Sequence, residues 1–254
     1  MRQLNIFALE KIPLIIPGDN LAKIIFNALK KSKLVIQDGD VFVIAQKIAS
    51  KAENRYVTLS EILPSKKASV LAQKTDKDPR LVELILRESK KVVRFRKGVI
   101  VVENKLGFIH ANAGIDRSNI ESDSLNPRVL LLPKNPDLSA QQLQKELSKF
   151  LRKKVGVIIN DSTGRAWRNG IVGIAIGCSG VSVLSDLRGQ KDLYGRTLEV
   201  TEVGIADELA SSASILMGQS NEGLPVVIIQ GLKLSNDKRG SKALLRLAKD
   251  DLFR

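Results

Sequence analysis

VGVIINDSTGRAWRNGIVGIAIG, residues Val155 to Gly177, sets two apolar runs around a polar centre. Val155 to Ile159 is short, β-branched and uncharged, so it reads as a buried strand. Asp161, Ser162, Thr163, Gly164 and Arg165 then read as a hinge at the strand end, with Arg168 three residues on, before apolar sequence resumes. A carboxylate, two hydroxyls and two guanidiniums thus leave a buried strand at one point, where free backbone can meet a ligand.

Elements follow on both sides of this stretch. LSAQQLQKELSKFLRKK precedes it as an amphipathic helix, with Leu143, Leu147 and Leu151 four residues apart. TEVGIADELASSASILMGQS follows as another, with Thr201 as cap and Ile205, Leu209, Ala213 and Leu216 along one face. LPVVIIQG reads as a last buried strand. Nearer the N-terminus, DNLAKIIFNALKKS predicts a helix capped by Asp19 or Asn20, and Val41 to Ala45 a buried strand. DPRLVELILRES predicts a helix with Pro79 in its first turn. GVIVVENKLGFIHANAG predicts a hairpin turning through Asn104 to Gly107, and VLLLP a short strand ended by Pro133. Strands and helices mix without regular βαβα alternation. The expected class is α+β, with mixed, largely antiparallel sheets and packed helices.

The 254 residues suffice for a sizeable core. Aromatics are 4%, so that core rests on Ile, Val, Leu and Ala. The one cysteine, Cys178, has no partner for an internal disulfide, which fits a buried thiol in a reducing cytoplasm. No apolar run approaches the roughly 20 residues of a membrane span, and Glu10 and Lys11 break the signal-peptide layout. The net charge of +14 fits polyanionic ligands, nucleic acid or an evenly solvated lysine-rich surface. No basic patch is interleaved with aromatics, so a nucleic-acid partner is not expected. Residues 1–232 read as the catalytic region and residues 233–254 as a basic tail, with a loosely docked helix expected after Leu234.

Neither common phosphate-cradling motif occurs, and His110 is the only histidine, so P-loop and multi-histidine chemistry are excluded. His110 sits inside a predicted strand and reads as a satisfied structural residue. Four polar clusters remain, each at the end of an apolar run: QKIASKAE (Gln46, Lys47, Ser50, Lys51, Glu53), NAGIDRSN (Asn112, Asp116, Arg117, Ser118, Asn119), the Asp161–Arg168 stretch, and MGQSNEG (Gly218 to Gly223). Each also fits a plainer reading, as a turn, a helix C-cap or a solvated strand end. Together, Asp116, Asp161, a hydroxyl and an amide offer hard oxygen ligands that suit Mg²⁺ or Mn²⁺. Lys47, Lys51, Arg165 and Arg168 offer charge for phosphates and carboxylates. That is the equipment of phosphoryl transfer.

QKIASKAE, GFIHANAGIDRSN, GVIINDSTGRAWRNG, DLRGQKDLYGRTLEVTEVGIADELA and LPVVIIQGL follow one another as in the coenzyme F-420-0:L-glutamate ligase (gamma-glutamyl ligase) family, which the chain resembles from Pro13 to Leu232. The resemblance implies a GTP-dependent ligase that adds L-glutamate through a gamma-glutamyl amide to a deazaflavin acceptor by way of an acyl phosphate. It implies two divalent cations, Mg²⁺ or Mn²⁺, with a monovalent cation beside them, and an intertwined homodimer. On matching positions, Asp116 and Asp161 stand as ligands of one cation, and Ser162 and Gln219 of the other. Ile12, Pro13, Leu14, Ile15, Gln46, Lys47, Lys51 and Asn119 stand in the nucleotide site. So does the loop Met217, Gly218, Gln219, Ser220, Asn221, Glu222, Gly223 and Leu224. Arg165 and Arg168 join on chemical grounds, as catalytic cations for the acidic substrate or migrating phosphoryl group. Departures from the family pattern are Asn54 for glycine, Ala166 for proline and Asn160 for serine or threonine. An amino-acid ligase for another phosphorylated acceptor fits the same residues. A basic nucleic-acid-binding protein has no use for Asp116 and Asp161.

Overall fold

The computed structural model describes residues 3–123, 125–232 and 239–252. In chain order the first half runs β1 (Asn5–Ala8), α1 (Leu21–Lys31), β2 (Val41–Ala45), α2 (Gln46–Ala52), β3 (Tyr56–Thr58), α3 (Lys66–Thr75), α4 (Pro79–Arg87), β4 (Ser89–Arg96), β5 (Val99–Asn104) and β6 (Ile109–Ala111). Then come β7 (Arg128–Leu130), α5 (Pro136–Leu151), β8 (Gly156–Arg165), β9 (Arg168–Ser179), β10 (Ser185–Asp186), β11 (Glu202–Val203), α6 (Ile205–Met217) and β12 (Val226–Gln230).

The central sheet has the order β1-β12-β2-β8-β9. Only β2 and β8 run parallel; the other pairs are antiparallel. The fold is therefore α+β with a mixed, mostly antiparallel sheet, as the irregular alternation of elements predicts. Val41 to Ile44 are all fully buried because the sheet is covered on both faces. Phe42, Ile44, Val157, Ile159 and Ile228 meet Ile25 and Leu29 of α1 and Leu143 and Leu147 of α5. Val41, Val43, Ile158, Val227 and Ile229 on the other face meet Leu209, Ala210 and Ala213 of α6. A separate cluster packs α3 and α4 on β5 through Leu71, Leu81, Val82, Ile85, Ile100 and Val102.

Local signals set most element ends. Asn20, not Asp19, caps α1, its side-chain oxygen accepting from the Lys23 N–H. Asp78 caps α4 with Pro79 at the first turn, and the Cys178 side chain is buried, as its apolar neighbours predict.

Five expectations need correction. Asp161 to Arg165 is not a hinge: β8 runs unbroken through it, paired with β9 from Ser179 back to Arg168. The helices cover only the first part of this hairpin, so the outer part of β8 is free of the apolar pattern that packing would impose. Thr201 does not cap α6; Gly204 does, because Glu202 and Val203 are taken up pairing with β10. The buried stripe of α6 is Ala206, Leu209, Ala210, Ala213 and Met217, rotated away from Ile205 and Leu216. QKIASK is not a strand end but the helix α2, and its Gln46 is buried. The expected tail helix falls partly on residues 233–238, outside the described residues. From 239 to 252 the chain makes two short 3-10 turns. It docks there through buried Ser241, which donates its N–H to Asp137 Oδ1 and its hydroxyl to the Ile176 carbonyl, each at 2.9 Å.

Candidate active site

Asp161 lies on β8 at the margin of the covered part of the sheet, 8% exposed. Its Oδ1 accepts the Ser162 N–H at 2.8 Å. Its Oδ2 lies 3.0 Å from His110 Nε2, an ion-pair distance. Neither Oδ2 nor Nε2 completes a well-directed hydrogen bond, so both are buried polar atoms with unspent capacity.

Asp116 reaches the same place from another part of the chain. Two backbone hydrogen bonds with Leu130 fix it, Asp116 N–H to Leu130 O at 2.9 Å and the reverse at 3.0 Å. The turn before it is tight: Asn112, Ala113 and Gly114 have φ of 50°, 58° and 73°. Such values are strained for alanine. Bonds on either side of the turn hold it, from Ile100 N–H to Asn112 Oδ1 and from Asn104 Nδ2 to the Ala113 carbonyl. The Asp116 carboxylate pairs with Lys47 Nζ and accepts from Gln46 Nε2, both at the start of α2. Burial pushes its carboxyl above the ordinary range; Lys47 pulls it down, and the nearby Asp161 charge pushes it up again. Burial depresses the His110 imidazole, but Asp161 and Asp116 outweigh that and raise it. Asp116, Asp161 and His110 are thus within electrostatic reach of one another.

A second chain of contacts runs outward. Ser50 donates to Gln46 Oε1 at 2.9 Å. Lys51 Nζ donates to the Asn119 carbonyl at 2.7 Å, and Asn119 Nδ2 donates to the Ser220 carbonyl at 2.7 Å. The Ser220 N–H then donates to Glu222 Oε2 at 2.8 Å. Gly218 is needed there, since its φ of 68° with ψ of −174° is a backbone conformation essentially confined to glycine. Burial and the Lys47 charge lower the pKa of Lys51.

The fold therefore brings together Gln46, Lys47, Lys51, Asp116, Asn119, Asp161 and Ser220. Ser162 follows Asp161 half-buried, and Gln219 stands exposed beside Ser220. Met217 is tied back to β8 by Asn160, whose Nδ2 contacts its sulfur at 3.3 Å and donates to Ser214 Oγ at 2.9 Å. Ile15 is buried in the same cluster as Ile48 and Ala49 of α2, while Leu14 is exposed. Arg165 and Arg168 sit apart. They face each other across the end of the β8–β9 hairpin, and Arg165 Nη2 donates to the Asn169 carbonyl at 2.9 Å. Arg165 lies four positions beyond Asp161 on the strand, about 13 Å along the backbone, so within one chain the two arginines do not join the carboxylates.

Residues 10–231 match the family described as F420-0:Gamma-glutamyl ligase. The chain belongs to this family. Among the family's curated members, coenzyme F420:L-glutamate ligase of Methanocaldococcus jannaschii is 45% identical over 255 residues, covering 100% of this chain and 98% of the relative. The protein of that name from Methanothermobacter thermautotrophicus is 44% identical over 253 residues, with 99% of each covered. That from Archaeoglobus fulgidus is 41% identical over 253 residues, covering 99% of this chain and 97% of the relative.

The donor set of this family member fits divalent cations of the Mg²⁺ type. Among the described residues no three His, Cys, Asp or Glu side chains cluster as a metal cage. Two carboxylates with a hydroxyl and an amide nearby is the sparser pattern of an ion that keeps waters and shares substrate phosphates. Asp161 Oδ2, buried without a directed partner, is the oxygen with room for such a bond. Residue patterns missed two participants. His110 contacts Asp161, and Asn160 holds the end of α6. The one available signal for His110 was its place in HANAGID, six residues before Asp116.

Proposed function

We propose that the chain is a GTP-dependent ligase that adds L-glutamate to coenzyme F420-0 through an amide bond, by way of an acyl phosphate. One observation carries this reading. Asp116 and Asp161, remote in sequence, lie within reach of each other's charge, and Lys47 pairs with Asp116. Relatives covering its full length carry the name of that ligase.

The chemistry has two displacements. The acceptor carboxylate attacks the γ-phosphorus of GTP; the bond to the β-phosphate oxygen breaks and GDP leaves. The amine of glutamate then attacks the acyl carbon; phosphate leaves and the nitrogen gives up its proton. Asp116, Asp161, Ser162 and Gln219 would hold Mg²⁺ or Mn²⁺, which neutralises phosphate charge and polarises the transferring group. Lys47 and Lys51 supply ammonium groups for phosphate oxygens. The Lys51–Asn119–Ser220 chain holds the 217–224 loop against α2 as one wall of a nucleotide site.

The reading includes a homodimer. Residues 185–203 fold back as a ribbon, with Leu187 N–H to Thr201 O at 3.0 Å and Gly189 N–H to Leu198 O at 2.8 Å. Yet Leu193, Tyr194 and Val200 on it are exposed, as is Trp167 at the tip of the β8–β9 hairpin. An isolated two-stranded ribbon is marginal in water. A second copy, exchanging these projections about a two-fold axis, covers them.

The test is direct. The protein is incubated with GTP, Mn²⁺, L-glutamate and coenzyme F420-0, and GDP and the acceptor's mass are followed. The expected result is GDP release that requires both glutamate and acceptor, with an acceptor heavier by one glutamyl residue. GDP release indifferent to glutamate would overturn the reading.

A further inference from the structure

His110 is the only histidine, and it is 6% exposed on the three-residue strand β6, whose two other residues face solvent. β6 belongs to the three-stranded sheet β4-β5-β6, where His110 pairs with Val102. Asp161 belongs to the central sheet. The imidazole therefore bridges two sheets, and its Nε2 stops 3.0 Å from Asp161 Oδ2.

From His110 the chain runs directly into the site. Ala111 leads into the turn Asn112–Ala113–Gly114, locked by Asn104 and by the Ile100 N–H. Two residues later, Asp116 is pinned to Leu130 by a pair of backbone bonds. A run this short and this constrained passes a displacement at its start on to its end. The distance from β6 to β8 thus bears on the distance from Asp116 to Asp161. Two carboxylates within reach of each other's charge repel, so something must hold them. A buried ring that served only packing would not bring a nitrogen to a carboxylate oxygen, because both groups lose water there.

We propose that His110 is a positioning residue: its Nε2, 3.0 Å from Asp161 Oδ2, steadies that carboxylate from one side while leaving it room for a cation, and through the rigid turn that follows it sets the separation of the two carboxylates that share a divalent cation. This rests on the metal-dependent reading above. Outer hydrogen bonds to ligating groups typically change metal affinity by about 10- to 100-fold when removed.

The experiment titrates Mn²⁺ into the full-length protein without nucleotide, following the electron paramagnetic resonance signal of free Mn²⁺, with melting temperature measured in parallel. His110→Gln keeps a donor at similar reach; His110→Leu keeps the size and removes it; His110→Asn keeps a donor that falls short. The expected result is Mn²⁺ affinity within about threefold of the parent for Gln and weaker by about tenfold or more for Leu and Asn. Should the Leu protein fail to fold, the polar Asn protein decides. Parent-like affinity in the Leu or Asn protein overturns the clamp while leaving the metal site standing. No Mn²⁺ binding by the parent chain sinks the metal reading itself, and the clamp with it.

Discussion

Asn119 donates its side-chain amide to the carbonyl of Ser220, 2.7 Å away and 101 positions along the chain. Its own carbonyl accepts from Lys51 at 2.7 Å. One residue thus ties the loop after α6 to α2. Asn119 has φ of 55°, which glycine adopts without strain. Asn119→Gly therefore removes the amide and keeps the backbone. A hydrogen bond of this kind is worth about 0.5–1.5 kcal/mol net. The expected outcome is a KM for GTP raised by about 2- to 10-fold with little change in kcat, read from initial rates of GDP release.

Asp161→Asn preserves shape and volume on β8 while removing the charge beside His110. Turnover is expected to fall by about 10²- to 10³-fold, as for loss of a principal electrostatic group. The melting temperature should hold or rise, because a buried carboxylate is neutralised. Chelation of divalent ions from the parent protein should reproduce the loss, and added Mn²⁺ should reverse it. An Asn variant that turns over normally removes Asp161 from the site.

Lys47→Met leaves the Asp116 carboxylate, already raised by burial, without its ammonium partner. The pair is partly exposed, so the cost to the metal-free protein is moderate, about 1–2 kcal/mol. Chemical denaturation at neutral pH without divalent ions measures it. GTP affinity should weaken in the same variant.

Asp78 reports on pH. It caps α4, and its carboxylate binds the Arg80 guanidinium, with Nη2 at 2.6 Å. The hydrogen bond from Arg80 holds its carboxyl below the ordinary range. A depressed carboxyl stabilises the fold above its unfolded pKa of about 3.9, and that stability is lost as pH falls through the lower folded value. Asp78→Ala should therefore cost about 1 kcal/mol at pH 7. Parent and variant should converge under strong acid. Melting curves across pH 2 to 7 test this; a gap that persists at low pH contradicts it.

Gly173 lets β9 lie close on α6. A Cβ there would sit 2.1 Å from Ser214 Oγ and 2.6 Å from both the Ala210 carbonyl and Asn160 Oδ1. Gly173→Ala should destabilise the protein by about 1–3 kcal/mol. It should also disturb Asn160 and hence the end of α6. For the dimer, Trp167→Glu should shift the mass seen by light scattering toward one chain.

Much of the fold is legible in local sequence. The charge-free run at Val41–Ala45, the spacing of Leu143 and Leu147, and the caps at Asn20 and Asp78 depend on neighbours a few residues away, so they can be read from the string. The outer half of β8 could not, because Asp161 to Arg165 extends beyond the helices that would have imposed an apolar pattern. The true cap of α6 was hidden for a similar reason, since Glu202 and Val203 answer to β10 rather than to the helix.

The residue types by themselves determined which groups are on offer: carboxylates, hydroxyls and amides without histidine or cysteine clusters, and lysines without a phosphate-cradling loop. Only the tertiary structure decided the arrangement. It set Asp116 against Lys47, His110 against Asp161 and Asn119 against Ser220, and it left Arg165 and Arg168 at a distant hairpin end. Contacts between residues so far apart arise from how the sheets and helices pack, and no short-range pattern along the chain encodes that packing.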